Sequence, residues 1–228
     1  VLFAAWLLIS ACAQKPSSDS FDFYASNIDI LQAKKIQKEI GVTQAQRAKM
    51  NVYAGTYTSR MTSYQKQLNK EKNTGPDKNK ILGWRMDLKR GVFSELTAAQ
   101  LKRLREITLQ TQGVAALSDQ RVAGRVGLSE SQVTKIRDYL QSDDRELEKL
   151  QEMAIGPIVA KYRALKPKDD ADRKRLSEQY NAEAKAAGTK YQPRVTALLF
   201  NTKNKIESVL TSGQKSKWNA LLGSPFKG

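Results

Sequence analysis

The chain has no histidine and only one cysteine, Cys12, in 228 residues. The first absence excludes Ser–His and Cys–His catalytic pairs and any imidazole-based metal centre. The second excludes an intramolecular disulfide, so packing alone holds the fold. Carboxylates by themselves make a poor site for soft or borderline metals. There is no glycine-rich phosphate loop, no zinc signature and no isolated carboxylate pair in an apolar setting. Acidic residues fall in charged runs such as Asp143, Asp144, Glu146 and Glu148, which read as solvated helix face. The sequence predicts no enzyme active site, no cofactor and no metal. Proline (6) and glycine (13) are scarce, and alternating strand patterns are missing.

What is abundant is Lys, Gln, Glu, Ala and Leu, the residues that form helices readily. Basic side chains outnumber acidic ones by 39 to 23, for a formal charge of +16. Residues 12–91 hold 15 basic and 7 acidic groups, residues 92–152 hold 9 and 10, and residues 153–228 hold 15 and 6. Two basic ends flank a neutral middle. Such a surface attracts anions: acidic polypeptides, acidic lipid head groups or nucleic acid. No Lys/Arg stripe with interleaved aromatics supports nucleic acid.

Val1 to Ala11 is apolar and uncharged. It is too short to span a bilayer, which takes roughly 20 residues, but it suits the apolar region of a signal peptide. Ile9-Ser10-Ala11-Cys12 then looks like a bacterial lipobox, with Cys12 as the thiol that takes up lipid. The polar Ala13–Ser20 stretch that follows suits a tether. The expected division is a signal segment over 1–11, a lipidated cysteine and tether over 12–26, and one all-helical domain over 27–228. The expected location is the periplasmic face of a bacterial membrane, held by the lipid. That location argues against nucleic acid and favours anionic lipid or cell-wall polymer as the electrostatic partner.

One pattern occurs four times: Val42-Thr43-Gln44-Ala45-Gln46, Leu96-Thr97-Ala98-Ala99-Gln100, Leu128-Ser129-Glu130-Ser131-Gln132 and Leu210-Thr211-Ser212-Gly213-Gln214. Each is an aliphatic residue, a hydroxyl residue, two variable residues and a glutamine. This spacing predicts a capping box, in which Thr43, Thr97, Ser129 and Thr211 are N-caps. Gln46, Gln100, Gln132 and Gln214 reach back to the cap N–H. Four residues beyond each glutamine comes an apolar anchor: Met50, Leu104, Ile136 and Trp218. Each copy therefore starts a helix and aims it into a core.

Apolar spacing extends this to an all-α, elongated domain of antiparallel and crossing helices. One short helix is expected over 28–40, ended by Gly41, and a long one from Thr43. The long helix carries a stripe of Met50, Tyr53, Tyr57, Met61 and Tyr64, a candidate client-binding surface because Met and Tyr adapt to varied apolar partners. Asn73-Thr74-Gly75-Pro76 breaks the chain, and further helices are expected over 77–94, from Thr97, over 114–126, from Ser129, from Asp169 and from Thr211. Gly156-Pro157 and Pro193 are the expected bends.

The repeated Leu-Thr/Ser-x-x-Gln resembles the LTxxQ-motif family of periplasmic proteins, which includes Spy-like chaperones and CpxP-like stress regulators. The similarity touches 36–50, 101–132 and 209–226. It implies an all-helical envelope protein that holds unfolded proteins without ATP. The short members are curved dimers with a basic, partly apolar concave face, so the resemblance allows a homodimer here. This chain has four motifs where the short members have two. A stress regulator or adaptor docked on a membrane protein, and a structural lipoprotein binding anionic envelope polymer, are the alternative expectations.

Overall fold

The computed structural model describes residues 20–70 and 75–227. The predicted signal segment, Cys12 and most of the tether lie outside the described residues. Every regular element among the described residues is helical. Nine are α-helices: α1 Phe21–Ala25, α2 Lys34–Glu39, α3 Gln44–Lys70, α4 Lys78–Ser94, α5 Ala98–Gln112, α6 Gln120–Val126, α7 Glu130–Arg163, α8 Asp170–Val209 and α9 Ser212–Leu222.

Short polar side chains start these helices because their oxygens can accept from backbone N–H groups that lack an intrahelical partner. Ser20 caps α1, Asp77 caps α4, Asp119 caps α6 and Asp169 caps α8, in addition to the four predicted boxes. Two expected helices are divided. Over 28–40 a 3-10 turn, Asp29–Gln32, is separated from α2 by the extended residue Ala33. The break lets Leu31 and Ile36 both enter the core, and the amide of Gln37 donates to the freed Leu31 carbonyl at 2.7 Å. Over 114–126 a 3-10 turn, Gly113–Ser118, precedes α6, because Asp119 restarts the helix by capping Arg121 and Val122. Pro157 and Pro193, the predicted bend points, lie inside the continuous α7 and α8.

Contacts divide the chain into two compact units. Unit 1 runs to Gln112 and includes Ala220–Gly228; unit 2 is Gly113–Asn219. Both follow one plan. A short helix ends at a left-handed glycine, Gly41 (φ 69°) or Gly127 (φ 79°), and a capping box starts a long helix. A second long helix returns antiparallel to the first, and a second capping box starts α5 or α9.

Unit 1 packs Phe23, Ile36, Ile40, Phe93, Leu96 and Leu104 into one apolar cluster, with Phe226 against it. Arg105, buried on α5, pairs with Asp22 at 3.0 Å and donates to the Leu221 carbonyl. Gln110 donates to the carbonyls of Leu222 and Ser224 and accepts from the Phe226 N–H. These bonds fix α1 and the 221–226 tail on α5. Unit 2 buries Leu117, Val126, Val133, Ile136, Ile206 and Trp218.

Candidate functional site

All four capping boxes form. The cap oxygens of Thr43, Thr97, Ser129 and Thr211 accept from the glutamine N–H groups at 3.2–3.3 Å. Each glutamine Oε1 accepts in return from the cap N–H at 2.9–3.0 Å. The four anchors Met50, Leu104, Ile136 and Trp218 are buried.

The glutamines do more than cap. In unit 1, Gln46 Nε2 donates to Gln100 Oε1 at 2.8 Å and Gln100 Nε2 donates to Gln46 Oε1 at 3.2 Å. In unit 2, Gln132 and Gln214 exchange the same two bonds at 2.8 and 2.9 Å. The second N–H of each amide donates to a backbone carbonyl: Gln46 to Glu95, Gln100 to Gly41, Gln132 to Val209 and Gln214 to Gly127. In every case the acceptor stands two residues before the opposite cap. A primary amide has two donors and room for two acceptor bonds, and here all four are used. A glutamate would serve a capping box equally well but could not form this clasp, since two carboxylates would meet without a proton between them. Sequence spacing revealed the caps but not which boxes pair, because the partners lie 54 and 82 residues apart.

The candidate client-binding stripe turns toward α4. Met50 is buried, Tyr57, Met61 and Tyr64 are half-buried, and Tyr53 is more exposed. Tyr64 meets Trp84 edge-on at 5.5 Å between centroids. Tyr53 covers Gly91, where a Cβ would collide with its ring. Two helices alone cannot enclose such side chains, so the seam of the hairpin remains open at its edges.

The large apolar groups that face solvent lie elsewhere. In unit 1 these include Val52 and Leu82; in unit 2, Met153, Leu199 and Phe200, at 53%, 52% and 60% exposure. Phe200 stands off the apolar stripe that reaches the core through Ile206, and Leu199 lies at the edge of that stripe, seven residues before Ile206. Exposed cations Arg194, Lys203 and Lys205 lie within two turns of them on α8.

No family model, curated protein or solved structure matches the chain.

The shifted ionisable groups lie in charged pairs and networks. Glu183 is held below the ordinary carboxylate range by hydrogen bonds from Lys161 (2.6 Å) and then Tyr162 (2.9 Å). Burial, followed by that bond to Glu183, raises the Tyr162 phenol. Asp172 is lowered by hydrogen bonds from Arg175 and from the Lys168 N–H. Burial opposes the charge on Arg103, but its bonds to Glu39 and Glu106 outweigh this and raise it. For Glu183, Asp172 and Arg103 the shift follows from partners that stabilise the charge, whereas for Tyr162 burial and the bond to Glu183 favour the neutral phenol. Among the described residues, no group of three or more Cys, Asp or Glu is placed to hold a metal ion.

Proposed function

We propose that this chain is an envelope lipoprotein that holds unfolded or acidic polypeptides without ATP, in the manner of the Spy-like members of the family it resembles. The observation that carries this reading is the exposure of Leu199 and Phe200 beside Arg194, Lys203 and Lys205 on α8. Exposed bulky side chains supply adaptable apolar contact, and the cations speed encounter with acidic segments. The four motifs support the family reading, and Ile9-Ser10-Ala11-Cys12 supports the lipid anchor. The test is light scattering from an aggregating client. Suppression at stoichiometric amounts, weakened by Leu199→Ser with Phe200→Ser, is expected; no suppression by the parent chain rules the role out.

A second reading is an adaptor that docks on one membrane partner. It draws on a defined groove of about 560 Å³ between α6 and α7, lined by Gln120, Ala123, Leu128, Val133, Thr134 and Arg137 among others. Co-purification of a single stoichiometric partner, in place of many unfolded ones, favours it.

A further inference from the structure

The turn joining α7 to α8 is densely charged, with cations in excess. Residues 161–176 hold seven basic and three acidic side chains. The acids are already occupied. Asp169 caps α8, Asp170 pairs with Arg173, and Asp172 pairs with Arg175. Lys161 is engaged by Glu183. Arg163, Lys166, Lys168 and Lys174 make no ion pair among the described residues, and all four are exposed.

Apolar groups share this tip. Leu165 is 43% exposed at the turn, next to the exposed Ala164 and near the exposed Pro167. One turn back, Tyr162 and Tyr180 stack edge-on across the hairpin at 5.6 Å. Tyrosine rings with a polar tip favour the boundary between hydrocarbon and water. The hollow between these groups, about 260 Å³, is smaller than a typical ligand pocket of roughly 300–1,000 Å³. A short apolar point ringed by uncompensated cations, at the end of a long hairpin, suits a broad anionic surface better than an enclosed ligand.

We propose that the α7–α8 tip docks on an anionic phospholipid surface. Leu165 enters the head-group region, Tyr162 and Tyr180 lie at its boundary, and Arg163, Lys166, Lys168 and Lys174 face the lipid phosphates. Each cation near such a surface strengthens binding about five-fold at moderate salt.

The test uses the full chain carrying Cys12→Ser and Leu165→Cys, labelled at position 165 with an environment-sensitive fluorophore. Cys12→Ser removes any acyl anchor. Vesicles of phosphatidylcholine mixed with phosphatidylglycerol are compared with phosphatidylcholine alone. The expected result is a blue shift on the anionic vesicles only, reversed by high salt. Adding Lys166→Gln, Lys168→Gln and Lys174→Gln weakens partitioning by roughly a hundred-fold, with unchanged circular dichroism because all three side chains are solvent-facing. The proposal is overturned by an unshifted emission on anionic vesicles or by equal binding of the triple variant. It is equally overturned by the same blue shift on soluble polyphosphate, which offers charge without an apolar boundary.

Discussion

In both units a pair of glutamine amides joins the two helix starts at the base of a hairpin, yet the hairpins differ in length. Helices α3 and α4 have 27 and 17 residues, while α7 and α8 have 34 and 40. The clasp geometry hardly changes between them: the same eight-atom ring of amide bonds, and the same carbonyl two residues before each opposite cap. The clasp therefore sets how two helices begin relative to one another and leaves their length free. The repeated glycine shows the same separation of roles. Gly41 and Gly127 hold a left-handed conformation that other residues rarely adopt, turning the chain so that their carbonyls accept from Gln100 and Gln214.

The largest effects should come from the anchors that hold each clasp to its core. Leu104→Ala in unit 1 and Ile136→Ala in unit 2 remove side chains with no exposed surface, and each should cost roughly 3 kcal/mol in urea denaturation. Hydrogen exchange should place the loss of protection in the substituted unit first. Uniform loss across both units would break the description of two separate cores.

Next come the clasps themselves. Gln46→Glu and Gln132→Glu keep the capping acceptor but remove both amide donors, so each should cost about 2 kcal/mol at neutral pH. A carboxylate at either position faces the other glutamine's Oε1 and a backbone carbonyl, so its pKa rises. The loss is then fullest above the ordinary carboxylate range and shrinks as pH falls and the proton restores one donor. Equal stability of parent and Gln46→Glu across that range would show that the amide pairing carries no energy.

Removing a cap oxygen alone is milder. Ser129→Ala should lower stability by about 1 kcal/mol, and Thr43→Ala by a similar amount, because the glutamine bridge persists. The smallest effect distinguishes the hairpins rather than the clasps. Glu183→Gln, within α8, should return the Tyr162 phenol part of the way to its ordinary value, read by ultraviolet titration. The rest of its shift stays, since burial is the larger cause. Glu183 and Asp172 both titrate below the usual carboxylate range. Their stabilising contribution is present above that range and fades as pH falls through their lowered values, a small acid-side loss within unit 2.

The helix starts were legible because capping is local: a hydroxyl and a glutamine three residues apart are in reach whatever the rest of the chain does. The anchors four residues on were legible for the same reason, through helical periodicity. The split over 28–40 was not, because Leu31 and Ile36 are compatible with one continuous helix. Only their joint burial requires the break at Ala33. The Met50–Tyr64 stripe was visible as a stripe, but whether it faces a partner helix or solvent depends on where α4 lies. Phe200 carried no periodic signal, and Leu199, at helical spacing from Val195 and Ile206, gave no local sign of its exposure, since exposure is defined by what fails to cover a side chain.

By itself, the amino-acid order determined that the elements are helices, where the four boxed helices begin, and that the anchors four residues beyond each glutamine point inward. Those outcomes depend on bonds and spacings within a few residues. Tertiary structure alone decided that the first box pairs with the second and the third with the fourth. It also placed the 220–228 tail with unit 1 and left one basic turn uncompensated at the end of a hairpin. Pairing across 54 or 82 residues is a matter of chain closure and packing, and no local pattern encodes it.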